Sequence, residues 1–235
     1  MQPTANAISF NLFGFPTAIQ PFFWLAAVFI TALNIGPINN NMPIWIAQLL
    51  IGTAGVLLSI LVHELGHALV FRHVFRTSSA IVLHSFGGMT VPLQHFSRRY
   101  GFSGALAHCF LSFSGPLAGF ILAFLMIALM HITPAPESLP SILFRFFLSW
   151  TATISIFWGI LNLLPIYPMD GGHMSREMFL FFSPRQGVRF SLIVSMMIAV
   201  LLAVLTFRYQ PVIALFFAFF AYQNYQEMTF GSFRR

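Results

Sequence analysis

Apolar residues recur along the chain in six blocks, separated by short breaks that carry proline, glycine or charge. The blocks run roughly from Pro21 to Leu33, Pro43 to Arg72, Ser103 to His131, Leu143 to Leu164, Val188 to Phe207 and Pro211 to Tyr225. A helix that crosses a bilayer needs about 20 residues. The second and third blocks exceed that and are expected to tilt or project. The first is short unless Phe15 to Gln20 extend it, and the sixth is marginal enough to lie partly in the interface. Pro43 suits the first turn of its helix.

One stretch breaks the helical pattern. Thr77 to Leu93 reads TSSAIVLHSFGGMTVPL, with β-branched residues, the Gly87-Gly88 pair and a closing proline. It predicts two short strands around a glycine-containing turn. Ile8 to Ile19 is also strand-like, with Gly14 and Pro16 as breaks. A two-stranded ribbon is marginal alone, so these pieces are expected to join in one small sheet near the cytoplasmic face.

Composition fixes the class. Hydrophobic residues make up 58% of the 235 positions and charged residues 7%, where a soluble domain carries roughly 25% charged residues. The expected fold is an α-helical polytopic membrane protein of about six transmembrane helices with a small sheet. The whole chain is read as one domain, with a core over about 43–175. Aromatics reach 17%, 30 of them Phe, which suits lipid-facing helices.

The net charge of +6 comes from 11 basic residues, all Arg, against 5 acidic ones. All the arginines except Arg145 and Arg208 fall at the N-terminal, second, fourth and C-terminal connections. That asymmetry puts both termini in the cytoplasm. The chain lacks a basic patch interleaved with exposed aromatics, so nucleic acid is not an expected partner. Cys109 stands alone, which excludes an intrachain disulfide and a cysteine-rich metal site. Met1 to Phe23 carries no charge, so no cleavable signal peptide is expected and the first block stays as a span.

The chemistry sits in His63-Glu64-Leu65-Gly66-His67. Residues four apart share a helix face, so both imidazoles can reach one metal ion. Glu64 is rotated about 100° from His63, which suits a general base acting on a water better than a third ligand. Three polar groups inside an apolar span need a shared reason, because a charge there costs roughly 2.5–3.5 kcal/mol on insertion scales. Both imidazoles lie about 6–10 residues before the helix end, or roughly 9–15 Å along it.

Catalytic zinc takes three protein ligands and keeps a fourth position open. Asp170 is the one aspartate in the chain and directly follows the fourth block, in NLLPIYPMDGGH. Pro165 and Pro168 prevent a regular helix there, and Gly171 and Gly172 allow unusual dihedrals and close approach. Irregular backbone at membrane depth is tolerated beside protein or a water-filled cavity, which favours Asp170 as the third ligand. Glu137 falls on the opposite side of the membrane. Glu177 and Glu227 stay open on composition alone. His84 and His173 receive no assigned role.

The pairing of His63-Glu64-x-x-His67 with Asn162-x-x-Pro165 and Asp170-Gly171 resembles the site-2 protease family of intramembrane metalloproteases (peptidase family M50). Phe113-Ser114-Gly115-Pro116-Leu117-Ala118-Gly119 resembles that family's Gly-Pro motif. Phe86-Gly87-Gly88 resembles the glycine pair of its strand region, and Leu12 to Phe23 its N-terminal strand. No stretch resembles a PDZ or CBS domain. Gly119 replaces a small polar residue found in relatives, giving a Gly115-x-x-x-Gly119 pair that is expected to pack helices closely.

The resemblance implies one zinc ion on His63, His67 and Asp170, with Glu64 as base and Asn162 placing the substrate. The substrate would be a transmembrane segment of another membrane protein, cut near the cytoplasmic leaflet. An unwound substrate could be clamped by strand addition along Phe86 to Met89. The alternative is a membrane protein that binds zinc without proteolysis, such as a transporter or sensor, which has no need of Glu64. The compact size suggests a bacterial inner membrane. The substrate's identity, the regulator and the oligomeric state are not readable from the sequence.

Overall fold

The computed structural model describes residues 7–36, 41–94 and 101–231. Among these, the order of elements is β1 (Ile8–Leu12), β2 (Phe15–Ile19), α1 (Pro21–Asn34), α2 (Met42–His73), β3 (Ser79–His84), β4 (Gly87–Pro92), α3 (Gly101–Ile132), α4 (Leu139–Asn162), α5 (Asp170–Phe182), α6 (Gly187–Phe207) and α7 (Pro211–Phe230). The chain divides into two compact units, one of residues 1–96 and 114–159, the other of residues 97–113 and 160–235.

Each of the six apolar blocks is a helix. Four of them, α2, α3, α4 and α6, are long and apolar enough to cross a membrane, and α1 is a shorter apolar helix of 14 residues. The chain is an integral membrane protein of mostly helical architecture. The seventh helix, α5, starts at Asp170, where the two prolines and two glycines predicted bent or extended backbone. Residues 163–169 are indeed non-helical. Gly171 and Gly172 lie in the first turn of α5, and neither has a positive φ. Their value is close approach: a Cβ on Gly171 would collide with the carbonyl of Leu163, and one on Gly172 with the Tyr167 amide nitrogen.

In the first unit the four strands form one sheet in the order β1-β2-β3-β4. The outer pairs are antiparallel, while β2 and β3 run parallel from Thr17↔Ile81 to Ile19↔Leu83. Pro16 is accommodated inside β2 because the parallel pairing begins only at Thr17, so its missing N–H breaks no bond to β3. The turn between β1 and β2 is Phe13-Gly14, both with positive φ (50° and 83°), the conformation of a two-residue hairpin. Arg72, in the last turn of α2, braces it. Its Nη1 donates to the Phe13 carbonyl at 2.9 Å, and the guanidinium lies 3.6 Å from the Phe15 ring centroid.

Phe15, Ile19, Ile81 and Leu83 of the sheet share a buried cluster with Phe23 and Ala27 of α1 and with Val56, Ile60 and Ala68 of α2. The sheet is thereby fixed to the helix that carries the HExxH motif. Asn41 starts that helix by accepting a bond from the Ile44 amide at 3.2 Å, with Pro43 in the first turn. Helix α4 packs on α2 through small polar residues. Ser155 Oγ donates to Ser59 Oγ at 2.9 Å, and Ser59 Oγ lies 2.8 Å from the Gly55 carbonyl and 3.2 Å from that of Thr151. In lipid each such bond is worth about 0.6 kcal/mol, and small residues let the backbones approach. Arg145 is spent on the end of α3, donating to the carbonyls of Met130 (3.1 Å), Thr133 (3.4 Å) and Pro134 (3.4 Å).

In the second unit, α6 and α7 bury Ala199, Phe217 and Phe220 with Ile166 and Met169 of the linker before α5. Two side chains satisfy that linker's backbone. The Tyr167 amide donates to Ser195 Oγ at 2.7 Å, and Asn224 Nδ2 donates to the Tyr167 carbonyl at 2.6 Å. His173 lies on α5 with its ring 5.0 Å from that of Tyr167. Of the arginines used to argue orientation, Arg98, Arg99, Arg234 and Arg235 lie outside the described residues.

Candidate metal centre

His63, Glu64 and His67 are 3%, 4% and 8% exposed, so protein, not lipid or bulk water, surrounds all three. The i, i+4 spacing on α2 brings the two imidazoles together, with Nε2 atoms 3.3 Å apart and ring centroids 5.0 Å apart. Two nitrogens this close, on one helix face, are a ready pair of metal donors.

The first unit makes room for that pair. Gly115, on α3, faces the rings: a Cβ there would collide with His67 Nε2 and come within 2.7 Å of His63 Nε2. Gly66 faces back toward α3, where a Cβ would collide with the Ser114 carbonyl. The Gly115-x-x-x-Gly119 pair therefore has two separate roles. Gly115 vacates space beside the imidazole nitrogens, while a Cβ at Gly119 would meet only the Ser155 carbonyl at 3.5 Å, an ordinary contact. Ser114 Oγ lies 3.4 Å from His67 Nδ1. With Nδ1 as the donor, Nε2 of His67 keeps its lone pair for a metal ion.

Glu64 points toward the sheet. Thr90, in β4, holds it: Thr90 Oγ1 is 2.8 Å from Glu64 Oε2 and 3.0 Å from the Glu64 carbonyl oxygen. Gly88 packs directly on the carboxylate, where a Cβ would collide with Glu64 Cγ and lie 2.6 Å from Oε1. Gly87, with φ +118°, sits against Trp158. Phe86 is exposed at the β3–β4 turn, and its amide donates to His84 Nδ1 at 3.2 Å. Burial lowers the pKa of His84 from the ordinary histidine value, and the charge of Glu64 partly opposes the shift. Thr90 carried no signal of its own in the sequence, where it reads as a β-branched strand former, and Ser114 stood in the Gly-Pro motif without an assigned role.

Asp170 is the first residue of α5, and Asn162 is the last residue of α4. His63, His67 and Asp170 make up a possible metal-binding group. Glu177 and Glu227, which composition left open, are not members of that group among the described residues. The donor set of two imidazoles and one carboxylate suits zinc, and glycine at 115 keeps a β-carbon off both Nε2 atoms.

Residues 131–205 match the model of peptidase family M50. That segment carries Asn162 and Asp170, and the HExxH motif lies upstream of it. Rip3 of Mycobacterium tuberculosis, assigned as a zinc metalloprotease, is 34% identical over 126 residues, covering 53% of this chain. A zinc metalloprotease of Methanocaldococcus jannaschii is 25% identical over 171 residues, covering 71% of this chain. Over these stretches the chain is similar to peptidase family M50 and to both zinc metalloproteases. The aligned stretches span 30% and 43% of those two relatives' own lengths. The chain also shares its fold with the solved site-2 protease from Methanocaldococcus jannaschii, at a TM-score of 0.58 and 21% identity, covering 94% of this chain and 95% of that one.

Proposed function

We propose that this chain is a zinc-dependent endopeptidase of site-2 protease type that hydrolyses peptide bonds in transmembrane segments of other membrane proteins. The observation that carries the reading is the buried imidazole pair His63 and His67, with Nε2 atoms 3.3 Å apart against Gly115 and the Glu64 carboxylate held by Thr90.

In this reading His63, His67 and Asp170 hold one zinc ion. Zinc so bound supplies a Lewis acid for the scissile carbonyl and lowers the pKa of a water toward about 7. Glu64 takes a proton from the attacking water as its oxygen bonds to the carbonyl carbon. Glu64 then gives that proton to the amide nitrogen as the C–N bond breaks. Asn162 positions the substrate carbonyl. Thr90 keeps the carboxylate aimed through both transfers, and Gly88 leaves the space it occupies.

A helical peptide bond is shielded by its own hydrogen bonding, so the substrate has to unwind. Strand β4 is an edge of the sheet, and an extended segment could add along Phe86, Gly87, Gly88 and Met89. If proline substitutions along that edge leave cleavage unchanged, that clamp is wrong. The finer topology, six spans with both termini cytoplasmic in a bacterial inner membrane, is part of the same proposal and rests on the arginine asymmetry.

The test is Glu64→Gln in the purified chain, assayed on membrane-spanning peptides. Loss of cleavage with zinc retained supports a peptidase. Zinc-dependent transport that survives the change would replace this reading with a transporter.

A further inference from the structure

A second polar site lies in the first unit, where α2 ends and the sheet begins. Its residues are not those of the metal centre. A cavity of about 320 Å³ opens between the β1–β2 hairpin and the chain leading into β3, and Arg72, Arg76, Thr77, Ser78 and Ser79 supply its polar lining. We propose that this cavity is a binding site for a phosphate group, supplied by the headgroup of an anionic lipid.

Three observations carry the proposal. The first is charge. Two guanidinium groups line one small cavity, the chain has only 5 carboxylates, and neither arginine is ion-paired among the described residues. Arg72 uses one N–H on the Phe13 carbonyl and keeps the others. Arg76 makes no hydrogen bond among the described residues. Guanidinium forks match phosphate oxygens, and the weak hydration of the group makes desolvation cheap.

The second is a pair of buried hydroxyls without partners. Thr77 is 7% exposed and Ser79 is 1% exposed, and the hydroxyl oxygen of each lacks a hydrogen-bond partner among the described residues. Leaving buried polar groups unmatched is costly, so such groups call for a partner. Both residues line the cavity, and a phosphate held there by the arginines would offer each hydroxyl an acceptor. Structural needs alone would be met more cheaply by Val and Ala.

The third is the backbone at Arg76. Its φ is +53°, a left-handed conformation that favours glycine or asparagine at a helix end. Here an arginine occupies it and lines the cavity. A cluster of arginines at the end of an apolar helix lies where anionic headgroups concentrate, which favours a lipid over a free ion as the source. The same anion would tie the end of α2 to the start of β3, the strand that pairs with the one carrying Gly88 and Thr90.

The test uses the full chain in neutral detergent, with dioleoylphosphatidylglycerol, dioleoylphosphatidylcholine and inorganic phosphate as separate probes. Thermal unfolding and native mass spectrometry are the readouts. Phosphatidylglycerol is expected to raise the unfolding midpoint and stay bound, whereas phosphatidylcholine does so weakly. R76G and S79A are each expected to weaken that binding roughly tenfold or more, as loss of a bond to a charged group does. Neither should lower the unfolding midpoint without lipid, because R76G relieves a left-handed residue and S79A removes an unmatched hydroxyl. Stabilisation of the wild type by inorganic phosphate, abolished by R76G and not displaced by phosphatidylglycerol, would support the anion site and assign it to a soluble phosphate. Equal binding of every probe to wild type and R76G, or no binding of any probe, would overturn the proposal.

Discussion

The Thr90 hydroxyl lies 2.8 Å from Glu64 Oε2 and 3.0 Å from the Glu64 carbonyl oxygen. It therefore ties strand β4 to both the side chain and the backbone of the proposed base. A hydrogen bond to a charged group is worth about 1.5–3 kcal/mol. Thr90→Val, which keeps the shape and removes the donor, is expected to lower kcat roughly 10- to 100-fold with zinc content unchanged. Thr90→Ser should keep most of the activity. Equal kcat for Thr90→Val and wild type would show that Glu64 needs no such support.

Gly88 and Gly115 make opposite predictions from similar crowding. A methyl group at Gly88 meets Glu64, and one at Gly115 meets both imidazoles. Gly88→Ala is expected to lose cleavage and keep zinc. Gly115→Ala is expected to lose zinc affinity by about 10- to 100-fold, the range seen when groups that orient metal ligands are disturbed. Zinc titration and a cleavage assay on the two variants side by side separate the roles. The same outcome for both would mean that the glycines serve helix and sheet packing alone.

Asn224 fixes the linker before α5 by donating to the Tyr167 carbonyl at 2.6 Å and to the Phe220 carbonyl at 2.7 Å. Asn224→Leu leaves the Tyr167 carbonyl unmatched and is expected to cost about 1–3 kcal/mol. The measurement is the unfolding midpoint in detergent, which should fall. An unchanged midpoint would mean that Ser195 alone suffices to hold the linker.

His84 makes the fold sensitive to acid. Burial lowers its pKa from the ordinary 6.5, against a smaller opposing effect of Glu64. The unfolded chain accepts a proton that the folded chain resists, so the stability present above about 6.5 is lost as pH falls below it. His84→Gln should flatten the dependence of the unfolding midpoint on pH in that range. A slope identical to that of the wild type would assign the acid sensitivity elsewhere.

The elements and site residues that declared themselves in the sequence did so through period or motif. Six apolar blocks became six helices because a bilayer-length apolar run has few alternatives. His63 and His67 were legible because helical geometry alone brings i and i+4 together. Helix α5 was not legible. Asp-Gly-Gly after two prolines reads as a turn on propensity, and tertiary packing overrides it by seating Gly171 and Gly172 against the backbone of residues 163–167. Pro16 read as a break and lies inside β2, because only the register with β3 reveals that its N–H is not needed. Thr90 escaped notice because its role depends on a contact 26 residues away in sequence, which no local pattern encodes.

Zinc K-edge absorption on the purified chain, with metal content measured on the same samples, asks whether two imidazoles and one aspartate hold a single zinc ion. Wild type and Glu64→Gln are expected to bind about one zinc, with nitrogen ligands near 2.0–2.1 Å and a carboxylate oxygen near 2.0–2.2 Å, and Asp170→Ala is expected to lose the ion or that oxygen. An Asp170→Ala protein with full zinc content and an unchanged spectrum would contradict that ligand set.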